Sequence, residues 1–138
     1  MKTNHNNFII TNIKSNKTPQ YKFDDYFIFT SNNSIKQNKH IKIYTSKKQL
    51  IIGSGYLVSK DGYRSCHNLT TPKNFIKKET ITNYDGMFCF CSITNNTLTF
   101  FTDAFGLEKL YVYQDGIHIA VSNQLLYLSQ YLNECNLF

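Results

Sequence analysis

The sequence predicts an α+β fold, in which antiparallel strands form layered sheets buried on both faces and a helix near the end of the chain covers one layer. Three observations predict it. Most apolar residues fall in short runs of Ile, Phe, Tyr and Val separated by Asn, Ser and Lys clusters, the composition of strands and turns. Several runs, such as Phe88-Cys89-Phe90-Cys91, are continuously apolar instead of alternating, as expected of strands covered on both sides. Only at Leu125, Leu128 and Leu132 does the spacing change to three and four, which is the period of a helix with one apolar stripe.

Taken in order, Phe8 to Ile13, Tyr26 to Thr30, His40 to Thr45 and Leu50 to Val58 read as strands, and the Asn- and Lys-rich stretch Ser31 to Lys39 reads as a loop. Asp61-Gly62 places a tight turn after Val58, and Thr71-Pro72 followed by Lys73 to Lys78 allows a short helix with proline near its first turn. Gly86 to Ile93 and Thr97 to Thr102 form a hairpin around Thr94-Asn95-Asn96, since asparagine tolerates left-handed dihedrals. Lys109 to Tyr113 and Ile117 to Val121 form a second hairpin around Gln114-Asp115-Gly116. Ser122 is placed to cap the final helix.

At 138 residues the chain fits a single domain, 1–138, able to bury about two-thirds of the surface its unfolded form exposes. A hydrophobic content of 41% with 15% aromatic residues excludes a disordered chain. The net charge of +6 is carried by dispersed lysines with Arg64 as the sole arginine. Nucleic-acid surfaces concentrate charge and favour the arginine fork, so a nucleic-acid partner is disfavoured. The run Phe8-Ile9-Ile10 is too short for a signal peptide, and no stretch is long enough to cross a bilayer. A cytoplasmic protein without a membrane partner is expected, so the sequon Asn68-Leu69-Thr70 carries no weight.

Cys89 and Cys91, two apart on a strand, share one face while Phe88 and Phe90 take the other. With Cys66-His67 as the only nearby candidate, zinc lacks its further ligands. Cys66, Cys89, Cys91 and Cys135 therefore read as free thiols, the buried ones behaving as small hydrophobes. His5, His40, His67 and His118 are dispersed; His118 alternates with Ile117 and Ile119 and takes the opposite strand face. Gly53-Ser54-Gly55 lacks the strand-turn-helix setting of a nucleophile elbow and reads as a bulge or tight turn.

Four pieces in register carry a resemblance: Asp85-Gly86-Met87-Phe88-Cys89-Phe90, the turn Asp103 to Gly106, Leu110-Tyr111-Val112-Tyr113, and the Ser-led segment Ser122 to Leu132. From Asn83 to about Leu132 the chain resembles the N-terminal glutamine-amidotransferase-like domain of asparagine synthetase family proteins. In character it is most similar to the nucleophile-less domain of lasso-peptide macrolactam synthetases. The resemblance implies an N-terminal-nucleophile-hydrolase-like αββα sandwich of two mainly antiparallel sheets, reduced in size, with the turn at Asp103 structural. In active members an N-terminal cysteine attacks glutamine and an Asn-Gly pair stabilises the oxyanion. Here Lys2 follows Met1, no Asn-Gly dipeptide occurs, and the Ser-Asp-Thr-Glu segment that holds the substrate amine has no counterpart before Asp85.

Thr3 is no better a nucleophile, since exposing it requires removal of Met1 and Lys2. No residue is therefore assigned a catalytic, cofactor-binding or metal-ligating role, and no cofactor is expected. The glycine-rich Ser-Gly-Gly-Leu-Asp-Ser loop of the ATP-using synthetase domain is also absent. The expected function is a catalytically silent module, structural or accessory to a separate ATP-dependent amide-forming synthetase, in peptide natural-product maturation of the lasso-peptide kind. Its partner is a synthetase subunit or a second copy, and the tail Asn133 to Phe138 is a candidate docking patch. The alternatives are an enzyme using a thiol or hydroxyl in the old glutaminase pocket, or a basic nucleic-acid-binding domain.

Overall fold

The computed structural model describes residues 7–31, 41–59, 62–65 and 85–137. Their elements are β1 (Phe8–Thr11), β2 (Tyr21–Phe23), β3 (Tyr26–Thr30), β4 (Ile41–Thr45), β5 (Gln49–Ser59), β6 (Gly62–Ser65), β7 (Asp85–Thr94), β8 (Thr97–Thr102), β9 (Tyr111–Gln114), β10 (Ile119–Ser122) and a helix, α1 (Leu125–Glu134). They fall into two units: Met1–Ser34 with Leu110–Phe138, and Ile35–Lys109. Each unit is built on an antiparallel sheet, so the described chain is α+β with two sheets, as its strand-rich pattern predicts.

The first unit orders its strands β2-β3-β1-β10-β9. The central strand is β1, the most apolar, with Phe8, Ile9, Ile10 and Thr11 fully buried. Ile9 faces Phe29 on one side and Ser122 on the other. Helix α1 packs Leu128, Tyr131 and Leu132 against Ile9, Ile13, Phe29 and Ala120. Phe8, Ile10, Ile28 and Val121 alternate with these and are buried too, which explains why β1 shows no polar alternation. Burying each such side chain contributes about 1.5–3 kcal/mol. The Tyr131 hydroxyl reaches out of the apolar layer to donate to the Ile13 carbonyl at 2.7 Å, and burial pushes its pKa up to about 12.

Strand β2 is not expected from sequence. Tyr21-Lys22-Phe23 is only three residues long and pairs with β3 across Asp24-Asp25, where Asp24 adopts φ 50°. Helix α1 also departs from expectation at both ends. Ser122 does not cap it: the residue at the N-cap position is Gln124, with no side-chain cap bond, while the Ser122 hydroxyl accepts from the Gln124 amide at 3.1 Å. Leu125 drops out of the apolar stripe at 54% exposure, and Tyr131 takes its place in the core. At the other end Asn136 adopts φ 57°, the Asn136 amide donates to Asn133 and the Leu137 amide to Leu132. This is a Schellman ending with asparagine in the left-handed position. Leu137 folds back onto the core, so this part of the expected docking tail is a helix stop; Phe138 lies outside the described residues.

The second unit orders β4-β5-β7-β8, with β6 pairing β5. Strands β5 and β7 pair one to one from Gln49 opposite Thr94 to Val58 opposite Asp85. Neither the bulge nor the tight turn expected at Gly53-Ser54-Gly55 is therefore present. A side chain at Gly53 would collide with the Phe90 ring directly across the ladder, so glycine is required for the aromatic to lie over the strand. Cys89 and Cys91 share a face and Phe88 and Phe90 the other, the two rings 5.4 Å apart between centroids. The β7–β8 turn is Asn95-Asn96, with φ 50° and 58°, the two positive dihedrals that a type I′ hairpin demands. Ser59 stands opposite Gly62, whereas Asp61, the Ser31-to-Lys39 loop from Asn32 onward and the Pro72-to-Lys78 helix lie outside the described residues.

Candidate functional site

Two places in the described residues are built in a way that their local fold alone does not require. The first is an open cleft of about 620 Å³ in the first unit, within the size range of ligand sites. Its walls begin with Asn7, just before β1: the Asn7 amide donates to the Ser31 hydroxyl at 3.1 Å and its side chain donates to the Gln124 carboxamide at 2.9 Å. Gln20 lines it too, and its carboxamide makes both bonds to the Thr30 backbone that a neighbouring strand would make, at 2.9 and 3.2 Å. Phe29 also lines it, together with Leu126, Tyr127 and Gln130 of α1. Among the described lining residues Lys17 is the one that carries a charge, and Glu134 holds it at 2.8 Å. Among the lining side chains, Asn7 is thus tied to Ser31 and Gln124, and Gln20 to the backbone of Thr30. A smaller hollow of about 220 Å³ shares Lys17 and Phe29 with it and adds Lys14 and Lys22, the latter 5.9 Å from the Phe27 ring centroid.

The second place is the loop after β8. Asp103 is 4% exposed, and its carboxylate accepts four backbone N–H groups: Phe105 at 3.1 Å and Leu107 at 2.9 Å on Oδ1, Glu108 at 3.0 Å and Phe88 at 3.3 Å on Oδ2. The Asp103 amide returns a bond to the Phe88 carbonyl at 2.9 Å. Burial pushes this carboxyl up, the four N–H bonds pull it down, and the net position is below the usual value. The loop so fixed holds Phe105 and Leu107 outward, at 86% and 56% exposure.

Among the described residues, the thiols and the histidine singled out from sequence do not meet in either place. Cys89 and Cys91 are buried, and burial, with the neighbouring Cys89 thiol, pushes Cys91 well above its ordinary value. Cys135 lies 3.8 Å from the Lys14 carbonyl, outside the cleft lining. His118 sits not on a strand but in the β9–β10 turn, because Asp115 draws that turn out to four residues. The Asp115 carboxylate accepts from the Ile117 and His118 amides at 3.1 and 2.7 Å, meets His118 Nδ1 at 2.9 Å and accepts from the Tyr113 hydroxyl at 3.0 Å. The His118 bond first, then the backbone bonds, hold that carboxyl far below the usual range. Ser54 is buried in mid-strand opposite Cys89 and Ile41. His5, His40, His67, Cys66 and Thr3 lie outside the described residues. Among the described residues no group of three or more His, Cys, Asp or Glu could hold a metal ion, and no helix is long and apolar enough to cross a membrane.

Although the basic residues occur singly or in pairs, the net charge divides unevenly between the two units. Eleven of the fifteen Lys and Arg residues and five of the nine Asp and Glu residues fall in Ile35–Lys109, a net charge of +6; the other unit carries four of each and is neutral. The amides Asn7, Gln20 and Gln124 carry no sequence signal of their own, since each bonds to a residue ten or more positions away in the chain. Comparison with protein-family models, with curated proteins and with solved structures returns no match.

Proposed function

We propose that this chain is an amidotransferase-like module of the N-terminal-nucleophile type, catalytically silent, that serves a separate ATP-dependent amide-forming synthetase in the maturation of a peptide natural product of the lasso-peptide kind. The supporting observation is the clamp at Asp103. The residues that resemble the asparagine synthetase family fall on consecutive elements, β7, the clamped turn after β8, β9, and β10 with α1. The acidic residue of that turn is a buried acceptor of four amides, a structural role of the sort the resemblance implies. At the start of β1 stand Asn7 and Phe8, neither a nucleophile, their amides taken up by Ser31 and Asn123. The buried thiols Cys89 and Cys91 have no access to substrate, and a protonated thiol is a poor nucleophile.

The test is direct. The purified full chain, incubated with glutamine, is expected to release no glutamate above the buffer rate, and a tagged copy expressed in its native host is expected to co-purify with an ATP-dependent synthetase. Glutamate release that thiol alkylation abolishes would overturn the proposal.

A further inference from the structure

We infer that the cleft of the first unit is a binding site for an uncharged saccharide. This is a property of the cleft alone, independent of any synthetase partner.

Asn7 lines the cleft while only 8% exposed. Its amide donates to the Ser31 hydroxyl, its carbonyl accepts from the Ser31 amide, and its Nδ2 donates to the Gln124 carboxamide. Its Oδ1 accepts from no described group. Buried acceptors are almost always paired, so one left open at a cleft wall points to a donor supplied from outside the chain. The bond from Asn7 occupies Oε1 of Gln124 and leaves the Gln124 Nε2 as a donor close to that acceptor. Hydroxyl groups suit such a pair, because each can donate one hydrogen bond and accept others.

The rest of the lining narrows the ligand. Among the described lining residues there is no carboxylate, and Lys17 is already held by Glu134 at 2.8 Å; a free amino acid therefore finds no partner for its ammonium. Lys14 and Lys22 line the smaller hollow and not this cleft, so a phosphate has no cluster of cations here. An added peptide strand is disfavoured at this point of the sheet edge, since Gln20 already makes both bonds to the Thr30 backbone that such a strand would need. Helix α1 offers Leu126, 67% exposed, beside Tyr127 and the Gln130 carboxamide. An apolar side next to amide groups matches a sugar ring, with its C–H face and its hydroxyl rim. The volume of about 620 Å³ is that of a small-ligand site.

The full chain is applied to a glycan array carrying neutral, sialylated and phosphorylated saccharides, and the strongest neutral ligand is titrated by calorimetry. Binding of a neutral saccharide is expected, with none of free glutamine or of inorganic phosphate in the same calorimeter. Gln130→Ala and Leu126→Ala alter exposed residues of α1 and should each weaken binding about fivefold, and Asn7→Ala about tenfold, as loss of a hydrogen bond or of a comparable contact does. Because Asn7→Ala also cuts the tie to Gln124, its folding is checked by circular dichroism, and the two helix variants decide the matter if it does not fold. Ile117→Ala, 79% exposed in the β9–β10 turn and outside the cleft lining, should leave the affinity unchanged. Retention of no neutral saccharide, preference for a charged one, binding of glutamine or phosphate in its place, or full affinity in both helix variants would each overturn the inference.

Discussion

At the scale of single residues, Asp103 has the largest consequence. Replacing it with alanine strands four backbone amides, and unsatisfied buried donors cost about 1–3 kcal/mol each before relaxation. Asp103→Ala is expected to destabilise the chain by about 3 kcal/mol, read by urea denaturation; a loss below about 0.5 kcal/mol would show the loop to be held by other means. Because its folded pKa is depressed, the contribution is present above the unfolded carboxylate value of about 3.9 and is lost as pH falls through the lower folded value. The urea midpoint of the native sequence should therefore fall more steeply below about pH 4 than that of Asp103→Asn. The thiols give a second prediction at this scale. Cys89 and Cys91 are buried, with Cys91 pushed far toward the protonated form, so native protein treated with iodoacetamide at neutral pH should carry no label on either until it is unfolded. Rapid native labelling, located by peptide mass mapping, would reopen a thiol mechanism.

Elements explain both what sequence patterns reveal and what they hide. Asn95-Asn96 announces its hairpin because two positive dihedrals are needed and asparagine accepts them. Tyr21–Phe23 stays hidden because three residues give no period, and Ser122 misleads because its hydroxyl bonds two residues along instead of joining the first helical turn. Of the candidate sites, Asp103 is marked as a structural turn by resemblance alone. The amides of the cleft are invisible, since Gln20 finds Thr30 and Asn7 finds Gln124 only through the fold. Two substitutions probe element design. Gly53→Ala drives a methyl into the buried Phe90 ring and should cost about 1–3 kcal/mol, as overpacking does. The loss should shrink when Phe90→Leu is added, measured as a double-mutant cycle in urea. Asn136→Gly places glycine at φ 57° and should raise stability by about 0.5 kcal/mol; a loss there would mean that the asparagine side chain contributes to the helix stop.

For the whole molecule, the structure supplies the boundary that makes the division of charge visible. Lysines scattered one or two at a time look evenly spread, yet eleven of the fifteen Lys and Arg residues lie in the continuous stretch 35–109 that forms one unit, and the rest of the chain is neutral. Self-repulsion in the basic unit opposes its compact state. The melting temperature should consequently rise by a few degrees as salt is increased from about 10 mM to about 150 mM, where screening reaches within about 8 Å; a fall would show that attractive pairs outweigh the repulsion.

The clamp at Asp103 reads only main-chain amides, and every residue except proline supplies the same N–H. What stands at 105 or 107 is therefore a matter of indifference to the fold. Mutation can rewrite these two positions while the scaffold stays intact, so the outer face of this turn can change between lineages faster than the architecture beneath it. The most exposed aromatic among the described residues is thus held in place by a carboxylate that is itself almost wholly covered.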